Sequence, residues 1–329
     1  MSKQQTVPMM VNQIKQISLP TLNQFLTATA LPIVGIVIFL GLWSLMAKNI
    51  DTSLGKFPGP TAVWQQSIVL VDEHNMQRDK AGKFYERQQQ RNAARLVKDP
   101  NYIVTIKDFT GAPTFFEQIW TSLYTVMVGF MVASLLAIPI GILCGLSKNA
   151  YTAINPLIQL FKPVSPLAWL PLVTMVVSAV YVSNEPIFSK SFITSAVTVA
   201  LCCLWPTLIN TAVGVSSIDK DLLNVSKVLR LNGWSHVTKI VLPSSIPAIF
   251  TGLRLSLGIG WMVLIAAEML AQNPGLGKFV WDEFQNGSSQ SLARIMVAVL
   301  TIGVIGFALD RLMLALQRKF SWDKSAVLL

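Results

Sequence analysis

Hydrophobic positions along the chain form long apolar runs separated by polar stretches. The first run, residues 28–47, contains 20 residues without a charge, enough for a helix to cross a hydrocarbon core of about 30 Å. Five further apolar runs follow, at residues 123–146, 163–182, 192–218, 246–270 and 292–316. The pattern predicts an all-α integral membrane protein with about six transmembrane helices. Within the third run, three prolines between 163 and 171 predict a kinked or interrupted span.

The polar stretches divide the chain into segments around these runs. Residues 1–27 have mixed polarity and could lie along the membrane surface. Residues 48–118 open with a Pro-Gly-Pro elbow and continue as a polar insertion, which we expect to be helical near 87–97 and otherwise loop. We expect a short loop at 271–291. The predicted domains are an N-terminal segment (1–27), a first span (28–47), a periplasmic elbow and insertion (48–118), a five-helix core (119–317, with the loop 218–247) and a tail (318–329).

Composition supports the membrane assignment. Apolar residues make up 52% of the chain and charged residues 13%, against roughly 25% in soluble domains. The net charge of +10 resides largely in basic residues between the spans, where such residues orient a membrane protein, so we expect no nucleic-acid partner. The N-terminus lacks the layout of a cleaved signal peptide, and we expect the first span to be retained.

Charges in the short loops predict the orientation. Lys148 and the basic residues of 218–247 fall on one side, whereas the loops at 183–191 and 271–291 each hold one lysine and at least one acid. Because short loops rich in Lys and Arg stay in the cytoplasm, we expect 218–247 and both termini to be cytoplasmic.

The polar segment 218–247 combines basic and apolar positions. Its four cations, Lys220, Lys227, Arg230 and Lys239, face only two acids, and apolar residues recur at helical spacing. Asn232-Gly233 predicts a turn, residues 234–241 a second short helix, and two prolines the entry into the next span. The segment therefore predicts a docking surface.

No motif for catalysis or nucleotide binding is present in the sequence. The Gly277-Lys278 pair lacks the glycine spacing of a phosphate-binding loop, and two histidines in separate polar segments build neither a metal cluster nor a triad. We expect a non-enzymatic chain with no cofactor or metal of its own, with any ATP and Mg bound by partner subunits.

Two charges within the apolar runs are candidates for a translocation path. Glu268 either lies at the membrane interface or faces the bundle interior, and Arg254 either snorkels to the cytoplasmic surface or attracts an anion. The proline-broken run could expose backbone amides to a small anion, although a packing kink explains it equally well. Candidate path residues are Ser165, Trp169, Asn210, Arg254, Trp261 and Glu268.

The sequence Ile-Val-Leu-Pro at 240–243, followed by Ile-Pro-Ala-Ile-Phe-Thr-Gly-Leu-Arg at 246–254, resembles the cytoplasmic EAA loop of ABC-importer permeases. That family implies a MetI-like fold, in which this loop forms coupling helices on an ATPase subunit. The chain departs from the family pattern at the Glu-Ala-Ala positions, 224–226, and at the usual glycine, which is Arg230. The coupling residues that the resemblance implies are Asn224, Val225, Ser226, Arg230, Leu231, Asn232, Gly233 and Trp234.

With these departures, the chain resembles one subgroup of the family, the permeases of nitrate, nitrite, cyanate and bicarbonate importers. Further stretches that support this resemblance are Pro-Val-Ser-Pro-Leu-Ala-Trp-Leu-Pro at 163–171 and Trp-Pro-Thr-Leu-Ile-Asn at 205–210. The resemblance implies a multi-pass subunit of the bacterial inner membrane. Its implied partners are a second permease copy, two cytoplasmic ATPase subunits, a periplasmic substrate-binding protein and the lipid bilayer.

We therefore expect an importer subunit for a small oxyanion, most simply nitrate. Bicarbonate, cyanate, sulfonate or taurine, and a thiamine precursor stay open as substrates. An ion-coupled carrier or channel that acts without an ATPase is the alternative of another class, but such proteins usually carry inverted repeats or several intramembrane carboxylates.

Overall fold

The computed structural model describes residues 22–52, 55–182 and 187–320. The expected interfacial segment and cytoplasmic tail therefore lie largely outside the described residues. The chain forms two compact units, one up to Thr61 and one from Ala62. In the first unit, helix α1 (Leu22–Asn49) is followed by a two-stranded antiparallel pairing of β1 (Asp51–Thr52) with β2 (Gly55–Lys56). The indole of Trp43 donates to the carbonyl of Pro58 at 3.1 Å and ties the elbow to the helix.

Ten helices follow in the described part of the chain. They are α2 (Pro60–Lys98), α3 (Phe115–Leu146), α4 (Lys148–Phe161), α5 (Pro166–Val180), α6 (Lys190–Ser216), α7 (Lys220–Val228), α8 (Gly233–His236), α9 (Leu242–Ala271), α10 (Leu276–Asn286) and α11 (Ser291–Phe320).

Five helical segments in the described residues are long and apolar enough to cross a membrane. They are Ala30–Asn49, Phe115–Leu146, Lys190–Ser216, Gly233–Ala271 and Ser291–Phe320. Each contains most or all of one predicted apolar run, so the all-α membrane fold is confirmed.

The interruption predicted in the run 163–182 is confirmed, although the first arm of the broken span, α4, lies before that run rather than within it. Helices α4 and α5 bend by 100° at a short break, and together they qualify as one broken span. The break follows from the prolines: Pro166 occupies the first turn of α5 and has no amide hydrogen, while Ser165 caps that turn by accepting from the amide of Leu167 at 3.3 Å. The 15 residues of α5 rise only about 22 Å, too little to cross the hydrocarbon core alone.

The insertion is more helical than the sequence predicted. Helix α2 runs without interruption for 39 residues, where we expected loop except near 87–97. The stretch is rich in Gln, Arg, Lys and Glu, which all favour helix, and it contains one glycine and no proline after its first residue. Val63, Gln66 and Leu70 are its buried positions, at the spacing of one helix face.

The connection predicted at 271–291 does lie between two spans, but it contains the helix α10, which the sequence did not predict. Leu276 of α10 is fully buried, and the ring of Phe279 lies 4.9 Å from that of Phe115 at the start of α3. The helix is held on the bundle by these apolar residues, which are spaced three apart within a short polar stretch.

Helix α6 lies at the centre of the second unit, packed between α3 and α9. A stripe of small residues at every fourth position of α3 faces it: Gly129, Ala133, Ala137, Gly141 and Gly145. A Cβ at Gly141 would lie 2.6 Å from Cβ of Thr211 and 2.8 Å from the carbonyl oxygen of Leu208. Small residues allow this close backbone approach, the packing mode that membrane helices use where lipid removes the hydrophobic drive.

The helix directions define two ends of this bundle. At one end, which we call the Glu268 end, the start of α3, the start of α11, the end of α9 and α10 come together. At the other, the Ser216 end, Phe250 of α9 stacks on Phe320 of α11 at 5.9 Å, and Gly145 of α3 meets Val215 of α6. Helices α7 and α8 leave and re-enter the bundle at the Ser216 end.

The α3–α6 contact makes a prediction about stability. We expect Gly141→Ala to destabilise the protein by about 1–3 kcal/mol, because the added methyl group overpacks a contact that cannot open locally. The measurement is the melting temperature of the detergent-solubilised protein. Gly258→Ala in α9 is the matched control, since a Cβ there meets nothing within 4 Å. A melting temperature lowered equally in both variants would contradict this account.

Candidate functional site

The segment 218–247, which we call the coupling segment, is a compact helical hairpin. Helix α7 is followed by a tight turn at residues 229–232, and Asn232 then caps α8 by accepting from the amide of Ser235 at 2.8 Å. The hydroxyl of Ser226 and Nδ1 of His236 are 2.7 Å apart and join the two helices. The hairpin is therefore held by its own polar contacts.

The turn depends on Arg230 rather than on the Asn-Gly pair. Arg230 has φ of +48°, in the left-handed region, whereas Asn232 has φ of −67° and Gly233 opens α8. The prediction that Asn232-Gly233 supplies the turn is therefore corrected. A left-handed residue other than glycine costs about 1–2 kcal/mol, and Arg230 stands where the ABC-permease pattern has glycine.

Most of the predicted coupling residues are exposed. The side chain of Trp234 is 77% exposed, and the apolar residues Val228 and Leu229, at the junction of α7 and the turn, are 82% and 62% exposed. Asn224, Arg230, Asn232 and Gly233 are exposed, Leu231 is half-buried and Ser226 is buried. The side chain of Val225 lies outside the described residues. The coupling segment thus presents apolar and basic groups outward from the Ser216 end.

The second half of the coupling segment is continuous with a membrane span. Helix α8 leads through a π turn at Val237–Val241 directly into α9, so Gly233–Ala271 is one helical rod of 39 residues. The predicted separation of a short helix from the span by Pro243 and Pro247 is therefore wrong. Pro243 lies in the first turn of α9, directly after the wider π turn, where its missing amide hydrogen is tolerated.

Glu268 is near the far end of this rod and is fully buried. The hydroxyl of Ser122 on α3 lies 2.9 and 2.8 Å from its two carboxylate oxygens, and the amide of Gly277 donates to it at 3.0 Å. The amide of Leu276 in turn donates to Ser122 at 2.8 Å. The sequence left two positions open for Glu268, the membrane interface and the bundle interior. Glu268 lies in the bundle interior, where it joins α3, α9 and α10.

Arg254 is paired rather than free. Its guanidinium contacts both carboxylate oxygens of Asp310 on α11, at 2.5 and 3.0 Å. Arg311 adds a second, longer contact to Asp310 at 3.5 Å. Bidentate pairs of this kind satisfy both charges. Arg254 therefore neither snorkels to the membrane surface nor stands free to attract an anion, but forms an ion pair between α9 and α11. The sequence showed Asp310 near the end of an apolar run but offered no signal that it meets Arg254.

The other candidate path residues have local structural partners. Trp261 is buried and donates to the carbonyl of Ile302, Asn210 donates to the carbonyl of Pro206, and Ser165 caps α5. Trp169 packs on Phe161 and borders an apolar cavity of about 450 Å³ between α5 and α6. No hydrogen bond or ion pair joins any two of the six candidates in the described part of the chain, so their role in a path stays a prediction.

Comparison with known proteins places this architecture. Residues 137–322 match the family model described as the binding-protein-dependent transport system inner membrane component. The fold is similar to a chain of the inward-facing methionine ABC transporter MetNI, with a TM-score of 0.53 and 13% identity over 63% of this chain and 96% of that one.

Two curated relatives are similar along much of the sequence. The nitrate import permease protein NrtB of Leptolyngbya laminosa is 36% identical over 217 residues, 66% of this chain and 71% of the relative. The bicarbonate transport system permease protein CmpB of Synechococcus elongatus is 32% identical over 297 residues, 90% of this chain and 91% of the relative. With its apolar spans and MetI-type fold, the chain belongs to the multi-pass inner-membrane permease family of binding-protein-dependent transport systems.

Proposed function

We propose that this chain is the permease subunit of an ABC importer that moves a small oxyanion, nitrate, into the cell. The observation that carries the proposal is the continuous rod from Gly233 to Ala271. One end of it holds the exposed Trp234, and near the other end Glu268 is bound to α3 and α10. A rod of this length spans roughly 58 Å, so a displacement at the coupling segment moves the opposite end of the bundle.

The partners follow from the two ends. Exposed aromatic and aliphatic side chains on a basic hairpin suit a groove on an ATPase subunit, which supplies the ATP and Mg that this chain has no motif to bind. The coupling segment and both termini are then cytoplasmic, and the Glu268 end faces a periplasmic substrate-binding protein. A second copy of this chain completes the pathway.

The substrate is the finer part of the proposal. Similarity to NrtB is higher in identity and supports nitrate, which the sequence motifs also favour. Similarity to CmpB extends over 90% of the chain and makes bicarbonate the second candidate. Both are small planar oxyanions of single charge, and a permease that binds its cargo too tightly would slow transit, so selectivity in this proposal resides mainly in the binding protein.

Docking can be tested at Trp234. We expect Trp234→Ala to lower both co-purification of the ATPase and substrate uptake by about tenfold or more. The reason is that tryptophans that become buried when two proteins bind are frequent hot spots at interfaces. The measurement is the ATPase-to-permease ratio after affinity purification, together with uptake by cells. Trp64→Ala is the matched control, since Trp64 is 70% exposed but lies on α2. Unchanged binding and uptake in Trp234→Ala would leave the coupling segment without its proposed role.

Arg230 separates a backbone role from a charge role. We expect Arg230→Gly to keep uptake near the parent level, because glycine adopts the left-handed conformation freely. We expect Arg230→Val to abolish uptake, since a β-branched residue is strained there and distorts the turn. Membrane insertion is checked by immunoblot of membrane fractions for both variants. If Arg230→Gly loses uptake as completely as Arg230→Val, the guanidinium itself is required.

The substrate is tested by uptake in a strain lacking the gene. We expect loss of labelled nitrate uptake, with restoration by the intact gene and no change in bicarbonate uptake. Loss of bicarbonate uptake alone would transfer the proposal to the second candidate. Uptake of either anion by the purified permease reconstituted without an ATPase would contradict the ABC mechanism and favour an autonomous carrier.

A further inference from the structure

The distal half of α2 forms a basic groove with the chain segment that follows it. Side chains of α2 hold the extended residues 102–109 against the helix: Gln88 exchanges two hydrogen bonds with the backbone of Lys107, at 3.0 and 3.1 Å, and the hydroxyl of Tyr85 accepts from the amide of Phe109 at 3.1 Å. Asn92 adds a longer bond to the carbonyl of Thr105. The groove between helix and segment has a volume of about 410 Å³.

Four cations line this groove. Arg87, Arg91 and Arg95 follow one another at every fourth position of α2, and Lys107 approaches from the extended segment. The arginine row covers about 12 Å of the helix. Tyr102 positions Arg95, whose Nη1 donates to the phenol oxygen at 2.9 Å while the guanidinium lies over the ring.

The charges of the groove are unbalanced. In the described residues, no ion pair joins any of the four cations to a carboxylate, and neither Glu86 nor Asp108, their close neighbours in sequence, lines the groove. Like charges spaced four apart on a helix repel one another and destabilise the helix. Clefts lined by one sign of charge also concentrate counter-ions. An anion that enters the groove therefore relieves a repulsion that the chain does not offset itself.

The groove lies on the α2 arm that is anchored at the Glu268 end. Nη1 and Nη2 of Arg294 on α11 donate to the two carboxylate oxygens of Glu73 on α2, at 2.8 and 2.9 Å, and His74 lies 2.8 Å from Thr114, which caps α3. These contacts hold the base of α2 on the end of the bundle opposite the coupling segment. The arm is thus attached where substrate arrives in the proposed function.

We propose that the groove of Arg87, Arg91, Arg95 and Lys107 is a binding site for the small oxyanion on the extracytoplasmic side, ahead of the membrane pathway. Guanidinium groups present paired N–H donors that match two oxygens of a planar oxyanion such as nitrate or bicarbonate. Oxyanion binding follows from the groove itself, whereas its identity as the transported anion rests on the proposed function.

The test is isothermal titration calorimetry of the full chain in phosphatidylcholine nanodiscs, with sodium nitrate and sodium bicarbonate as separate probes at constant ionic strength. We expect saturable binding, weakened about tenfold or more by Arg87→Gln/Arg91→Gln/Arg95→Gln, because the triple variant removes the charged hydrogen-bond donors of the groove. Glutamine matches arginine in helix propensity, so α2 is retained. Circular dichroism checks this retention.

The matched control removes the same charge elsewhere on α2. Arg78→Gln/Lys80→Gln/Lys98→Gln changes three exposed cations outside the groove, and we expect its affinity to equal that of the parent. Equal weakening in both triple variants would show general attraction by a basic arm and would overturn the site. Binding of inorganic phosphate without binding of nitrate or bicarbonate would also overturn the proposed site. Loss of nitrate and bicarbonate binding in phosphatidylglycerol nanodiscs would overturn it as well, because the groove would then bind a lipid headgroup.

The binding measurement tests the proposed site and the uptake measurement tests the proposed function, so either proposal can be contradicted without the other. A groove that binds neither nitrate nor bicarbonate removes the site but leaves the importer proposal standing. Loss of the gene without effect on nitrate or bicarbonate uptake removes the proposed substrate, while saturable binding in nanodiscs would still establish an oxyanion site.

Discussion

The close approach of α6 to α3 and α9 is the constraint on which the bundle depends. Glycines at 129, 141 and 145 of α3 and at 252 and 260 of α9 lie where any added Cβ would meet backbone or side-chain atoms of α6. In lipid, the association of helices has little hydrophobic drive, so van der Waals contact over a small-residue surface must supply it. Because such a surface fits only one register, α6 fixes the relative height of its two neighbours. The polar contacts at both ends of the bundle are built on that register.

Two of those contacts use charged groups that are costly inside a membrane. Glu268 is satisfied by donors from α3 and α10, and Arg254 is satisfied by Asp310 on α11. Each links α9 to another helix, so the span that continues from the coupling segment is also cross-linked at two heights. Tight linkage suits a helix that transmits displacement, since a rod that could slip past its neighbours would transmit little.

The apolar runs predicted five of the spans because uncharged length is a local property of the chain. Pairings between distant residues could not be predicted in the same way: the contact of Arg254 with Asp310 depends on which helices become neighbours. The length of helix α2 was under-predicted for a different reason. Its many charged and polar residues are also typical of loops, although the same residue types favour helix. At Arg230 the sequence marked the departure from glycine, but only the backbone shows the left-handed angle that gives the departure its cost.

The placement of charge also bears on where an anion can be recognised. The two charges that the sequence assigned to a pathway are both used between helices, so neither offers a free partner to an anion in the span. In the described residues, the cations of the α2 groove and of the coupling segment make no ion pair with a carboxylate, and they lie at opposite ends of the second unit. A pathway without an unpaired charge binds its cargo weakly, which favours transit over retention. In the proposed function, recognition of the anion therefore lies outside the bilayer, with the binding protein and the proposed groove on α2.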